Sequence, residues 1–143
     1  MASDQRAEAL KTAPPPWTNL RAIAYFLPFW VSRAAAANLP SIAYSPLEAE
    51  SSFAAPGEGC RPVGGLGSIQ ILRYTDTPVG PYDELMIAPA EHEYVVEEGK
   101  NGETKRRRRN QRITRIYVSK KESCYNGRLS MSVPVESASW EKL

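Results

Sequence analysis

From Leu20 to Val31 the chain reads LRAIAYFLPFWV, and almost every position is aromatic, branched or apolar. No other stretch constrains the fold as strongly. Such a run suits a β-strand buried on both faces, and Pro28 inside it calls for a bulge or an edge position. The apolar part, Ala22 to Val31, is far shorter than the ~20 residues that cross a bilayer. Arg21 and Arg33 flank it.

The remaining composition supports one soluble domain. A chain of 143 residues can bury a real core, and 42% hydrophobic with 24% charged residues is ordinary globular usage. Its 12 prolines favour many short elements over long helices. A formal net charge of +2 is too small to draw nucleic acid by overall field. Cys60 and Cys124 stand apart in sequence, as reduced thiols of an intracellular protein do. Asp4 and Glu8 near the start are unlike a secretory leader. The expected location is cytoplasmic, with no membrane contact and no cofactor.

Residues 1–16 read as a flexible tail closed by Pro14-Pro15-Pro16, and 17–143 as the domain. Ser32 caps a short helix over Arg33 to Ala37, with Asn38 and Pro40 ending it. Ser41 to Gly67 is punctuated by proline and glycine and reads as loop. Ser68 to Tyr74 and Asp83 to Ala88 form a strand pair around turn residues at Thr75–Pro78 and Gly80-Pro81. Tyr94–Glu98 and Glu103–Arg109 form a hairpin around Gly99-Lys100-Asn101-Gly102. Arg112 to Val118 is a strand, followed by a helix with a Ser119/Glu122 capping box and a stop at Asn126-Gly127. This order favours an α+β fold with a mainly antiparallel sheet.

Several conspicuous features carry little chemistry. Gly64-Gly65-Leu66-Gly67 lacks the following Lys-Ser/Thr and helix that a phosphate loop needs. Lys105 to Arg109 lies near Glu97, Glu98 and Glu103 without an aromatic platform, so a solvated hairpin arm is expected and a nucleic-acid partner is not. His92 is the sole histidine and is expected in a loop, unable to build a zinc site or triad with two isolated cysteines. Asp83 and Glu84 are adjacent, so on a strand only one of them faces a pocket.

Three stretches together, GLGSIQILRY (Gly65–Tyr74), TPVGPYDEL (Thr77–Leu85) and RITRIYVSKKESCYNGR (Arg112–Arg128), resemble the acetoacetate decarboxylase-like superfamily in its fungal branch. The resemblance spans roughly 17–128 and corresponds to the N-terminal half of such a domain. It implies a cone-like β-barrel with short flanking helices, here incomplete in its strands. It also implies Schiff-base chemistry, in which a desolvated lysine amine condenses with a ketone; the handling of lysine in that enzyme is a general example of an activated amine.

In the family that lysine follows a proline placed six residues after the Gly-Arg pair. Here Asn126-Gly127-Arg128 and Pro134 keep the spacing, but Val135 and Glu136 follow. Valine has no amine. The resemblance further implies substrate-contacting positions at Glu84, Gln70 and Arg21. The resulting expectation is a degenerate relative that binds or modifies a small keto acid or polyketide-like compound, as in fungal secondary metabolism. Two alternatives stand beside it: a Schiff-base decarboxylase using Lys120 or Lys121, and a non-catalytic half-domain needing a partner chain, for instance as a homo-oligomer.

Overall fold

The computed structural model describes residues 10–46, 60–98, 104–130 and 135–137. They form one seven-stranded sheet with two α-helices: β1 (Arg21–Val31), α1 (Arg33–Ala36), β2 (Cys60–Asp76), β3 (Tyr82–Ala88), β4 (Glu91–Glu98), β5 (Thr104–Gln111), β6 (Arg115–Val118), α2 (Lys121–Ser130) and β7 (Val135–Ser137). All pairings are antiparallel except β6 with β7. The fold is therefore α+β and mostly antiparallel, and among the described residues the sheet is open.

Its plan is a three-ribbon meander bent across one line. β3 and β4 run as nearly one strand along β2, with Ser68 opposite Ala88 and Gly64 opposite Glu91. β5 and β6 follow the same course along β4 and β3. The bend passes through Gly64–Gly67, Pro89-Ala90 and the connection between β5 and β6. Gly64 and Gly65 have φ of +85° and +94°, a region that glycine enters without steric penalty. At Gly67 a Cβ would collide with the Phe29 ring and the Pro89 carbonyl. The glycine cluster thus serves as a corner in β2, and Cys60 to Gly67 is strand where the sequence suggested loop. Proline and glycine, ordinarily loop punctuation, are what a bent strand requires.

The segment from Ser32 to Ser45 crosses the bend. The Ser32 hydroxyl accepts from Ala35 N at 3.1 Å, capping α1 as expected. Thr114 donates through Oγ1 to the Ala43 carbonyl, and Ser45 N donates to the Thr114 carbonyl at 3.1 Å. His92 lies here on β4, 1% exposed, and not in a loop; alternation with exposed positions on the hairpin carries it inward.

The main core is Ala13, Val79, Tyr82, Ile116, Val118 and Cys124, with Trp17, Tyr74 and Met86 packed against it. It lies between one face of the β2–β3–β6 wing and α2. β1 lies outside this core. Among the described residues it pairs only with β2, and Tyr25, Phe26 and Trp30 are 59%, 53% and 77% exposed, so burial on both faces is not found. Its apolar character belongs to an edge strand, which also accommodates Pro28.

Ser119 does not open the second helix. Its hydroxyl accepts from Asp83 N at 2.8 Å, fixing the end of β6 to β3. α2 starts at Lys121 and continues through Asn126-Gly127 to Ser130. Among the described residues no helix is long and apolar enough to cross a membrane.

Candidate functional site

β3 alternates. Tyr82, Glu84 and Met86 face the core, while Asp83 turns to the other face and accepts from Arg73 Nε at 2.9 Å. Across the ladder Leu72, Glu84 and Val118 are in register, as are Gln70, Met86 and Ile116. Above this face a cavity of about 320 Å³ is left between the sheet and α2. Tyr74, Tyr82, Glu84, Met86, Ile116 and Val118 form its floor, and Trp17, Ser123 and Asn126 contribute to its cover.

Asn126 holds the cover in place. Its Oδ1 accepts from Ala13 N at 2.7 Å, and its Nδ2 donates to the carbonyls of Lys11 and Glu122, each at 2.8 Å. Trp17 Nε1 donates to the Ala13 carbonyl at 2.8 Å. Residues from Lys11 onward are thereby tied to α2, although the composition of 1–16 reads as a tail. The first nine residues lie outside the described ones.

Among the described lining residues the polar side chains other than Asn126 and Trp17 are Glu84, Tyr74, Tyr82 and Ser123. Burial pushes the Glu84 carboxyl above its ordinary value, with a hydrogen bond from Tyr82 opposing the shift. Loss of hydration disfavours the charged form, and a donor to the carboxylate favours it. Tyr82 donates to Glu84 Oε2 across 3.4 Å. Its own phenol is raised by burial, against the effect of a hydrogen bond from Ser123. Tyr74 is raised by burial and then by the Glu84 charge. The two tyrosine rings stack with centroids 4.7 Å apart. A carboxyl biased toward its neutral form can donate a hydrogen bond to a carbonyl oxygen or exchange a proton with a neighbouring carbon.

Among the three residues expected to contact substrate, only Glu84 lines this cavity. Gln70 sits one row further along the same sheet face, opposite Met86, and donates to Ser68 Oγ at 3.3 Å. Arg21 opens β1 opposite Asp76 beside a register shift, is exposed, and stands next to Leu20, which does line the cavity. The backbone of Val135 is in register with Ile116, and that of Glu136 with Tyr117.

No lysine is among the described lining residues. Lys120 extends over the β2–β3 turn, where a Cβ on Gly80 would come within 2.9 Å of its Nζ, and Lys121 is exposed at the start of α2. The sequence did not mark Tyr74, Tyr82, Trp17 or Ser123 as site residues, and it gave Asn126 as a helix stop and part of the Asn-Gly-Arg spacing rather than as a residue of the cavity. Alternation from Glu84 would have found Tyr82, but the cover comes from segments remote in sequence.

The arginine run forms β5 and is exposed. Glu93 on β4 gathers Arg107 at 2.7 Å, Arg61 at 3.0 Å and Arg109 at 3.7 Å. Hydrogen bonds from Arg107 and Arg61 hold the Glu93 carboxyl below its usual range. Part of the run's charge is thus met within the chain. Among the described residues no group of three His, Cys, Asp or Glu side chains is placed to hold a metal ion.

Compared with known proteins, the chain matches no protein-family model and no curated protein.

Proposed function

We propose that this chain is a degenerate acetoacetate decarboxylase-like protein that binds, or modifies without a Schiff base, a small keto-acid or polyketide-like compound in the manner of fungal secondary metabolism. On this reading the open sheet is part of an acetoacetate decarboxylase-like β-barrel. The observation that carries the proposal is Glu84, a carboxyl in an apolar cavity with no lysine among the described residues around it. A partly buried carboxyl that no cation among the described lining residues neutralises is a stability liability, so its presence in a cavity is better accounted for by a ligand than by folding. The Val135 register position points the same way, since the family's amine would be supplied there.

Equilibrium binding of a panel of β-keto acids and aromatic ketones tests the proposal. Saturable binding that weakens at least roughly tenfold in Glu84→Leu, from loss of a buried hydrogen bond, and persists in Asp83→Asn supports it. Absence of saturable binding to every member of the panel overturns it.

The exposed β1 supports a second reading, a half-domain that functions with a second copy of itself. Edge strands with apolar faces are ordinarily covered. Sedimentation of the full chain over a concentration series decides it, a monomer at all concentrations being the contrary result.

A further inference from the structure

We infer that the occupant of the Glu84 cavity is an uncharged molecule of one or two fused rings presenting a single carbonyl or hydroxyl to Glu84, and not an anionic keto acid. This rests on the ligand-binding reading above and narrows its substrate class.

Charge is the first ground. Neither lysine nor arginine is among the described lining residues. A carboxylate entering this space would lose its hydration with no cation to meet it, and would meet Glu84 as a like charge whenever Glu84 is ionised. Among the described lining residues, the ionisable groups facing Glu84 are Tyr74 from β2 and Tyr82 from β3; β6 supplies Ile116 and Val118, and α2 supplies Ser123 and Asn126. None of these is positively charged.

Shape is the second. Trp17, Tyr74 and Tyr82 give the cavity aromatic walls, and the Tyr74–Tyr82 stack, with 27° between planes, presents a broad surface to a flat ring. The volume of about 320 Å³ lies near the lower end of the roughly 300–1,000 Å³ typical of small-molecule pockets, which suits a one- or two-ring compound.

Polar economy is the third ground. The Asn126 amide is committed to Ala13, Lys11 and Glu122, and the Trp17 indole N–H to Ala13. With the Ser123 hydroxyl engaged with Tyr82, little beyond Glu84 and the two phenols remains among the described lining residues to recognise polar atoms. A ligand rich in hydroxyls or carboxylates would leave most of its groups unpaired on entry, while one acceptor can be matched.

The test compares 2-acetylnaphthalene, 2-naphthoate and acetoacetate on the full chain at neutral pH by calorimetry, with wild type, Glu84→Leu and Asp83→Asn. The neutral ketone is expected to saturate and to bind at least roughly tenfold more tightly than its anionic isostere, because the anion's hydration is not replaced. Acetoacetate is expected not to saturate, and Glu84→Leu to weaken the ketone while Asp83→Asn does not. If either anion binds as tightly as the ketone and depends on Glu84, the inference on ligand class is overturned while the cavity remains a binding site. If no probe binds, or Glu84→Leu leaves all affinities unchanged, the reading of the site itself is overturned.

Discussion

The Tyr82 hydroxyl donates to Glu84 Oε2 across 3.4 Å, and the stacked ring of Tyr74 helps to keep water from both. Burial raises the Glu84 pKa above its ordinary 4.5. Above that value the unfolded chain has released a proton that the folded chain still holds, so stability falls as pH rises through the folded pKa. Replacing Glu84 with Gln should remove this slope. Thermal melts from pH 4.5 toward neutrality should show a Tm advantage for Glu84→Gln that grows with pH. Parallel Tm curves would show that Glu84 is not desolvated.

Glu93 should behave in the opposite sense. Arg107 and Arg61 depress its carboxyl, so its contribution is complete above its unfolded value and is lost as pH falls through the folded one. Its partners are exposed and screened by salt. In Glu93→Gln the acid side of the stability profile should flatten at low ionic strength and change little at high salt.

His92 donates through Nδ1 to the Ala90 carbonyl at 3.2 Å, leaving Nε2 buried with no partner among the described groups. Burial lowers its pKa below 6.5. Stability is then fully present above 6.5 and decreases as pH falls through the folded value, because protonation requires the ring to reach water. An imidazole NMR signal that stays in the neutral position well below pH 6.5 is the expected result; a titration centred at 6.5 would contradict the burial.

Gly67→Ala should be destabilising by about 1–3 kcal/mol, since the added methyl meets the Phe29 ring and the Pro89 carbonyl. Denaturant melts give the value. The loss should shrink in a double variant with Phe29→Ala, which removes one of the two obstacles.

Asn126→Ala breaks two hydrogen bonds that join the entry segment to α2 and a third within α2 itself. Leaving those backbone groups unpaired costs about 1–3 kcal/mol for each group that water cannot reach. Limited proteolysis should cut after Lys11 faster in this variant, and ligand affinity should fall even though Glu84 is untouched.

Borohydride reduction in the presence of acetoacetate should leave Lys120 and Lys121 unmodified by mass spectrometry. Neither lies among the described residues that line the cavity, so neither amine reaches a ketone held there. A stoichiometric adduct on either lysine would restore the Schiff-base alternative.

Local chemistry in the sequence was a good guide wherever neighbours decide conformation. The Ser32 cap, the β2–β3 pair and the β4–β5 pairing follow from turn residues and alternation, although the hairpin tip at 99–103 lies outside the described residues. Alternation also separated Asp83 from Glu84. Long-range facts were not legible. The bend made glycines and Pro62 compatible with strand, the open edge left Leu20–Val31 exposed despite its composition, and the cavity cover depends on Asn126 reaching across more than a hundred residues to Ala13.

Asp83 and Glu84 stand back to back on β3, and the two differ by one methylene. A slip of β3 by one position would exchange them, giving the cavity an aspartate and Arg73 a glutamate, with charge hardly changed on either face. Electrostatics alone would be a poor proofreader of that error. Tyr82 and Met86 supply the check, because the same slip would turn both out of the core. Which acid the protein presents to a ligand is therefore selected by parity with its apolar neighbours.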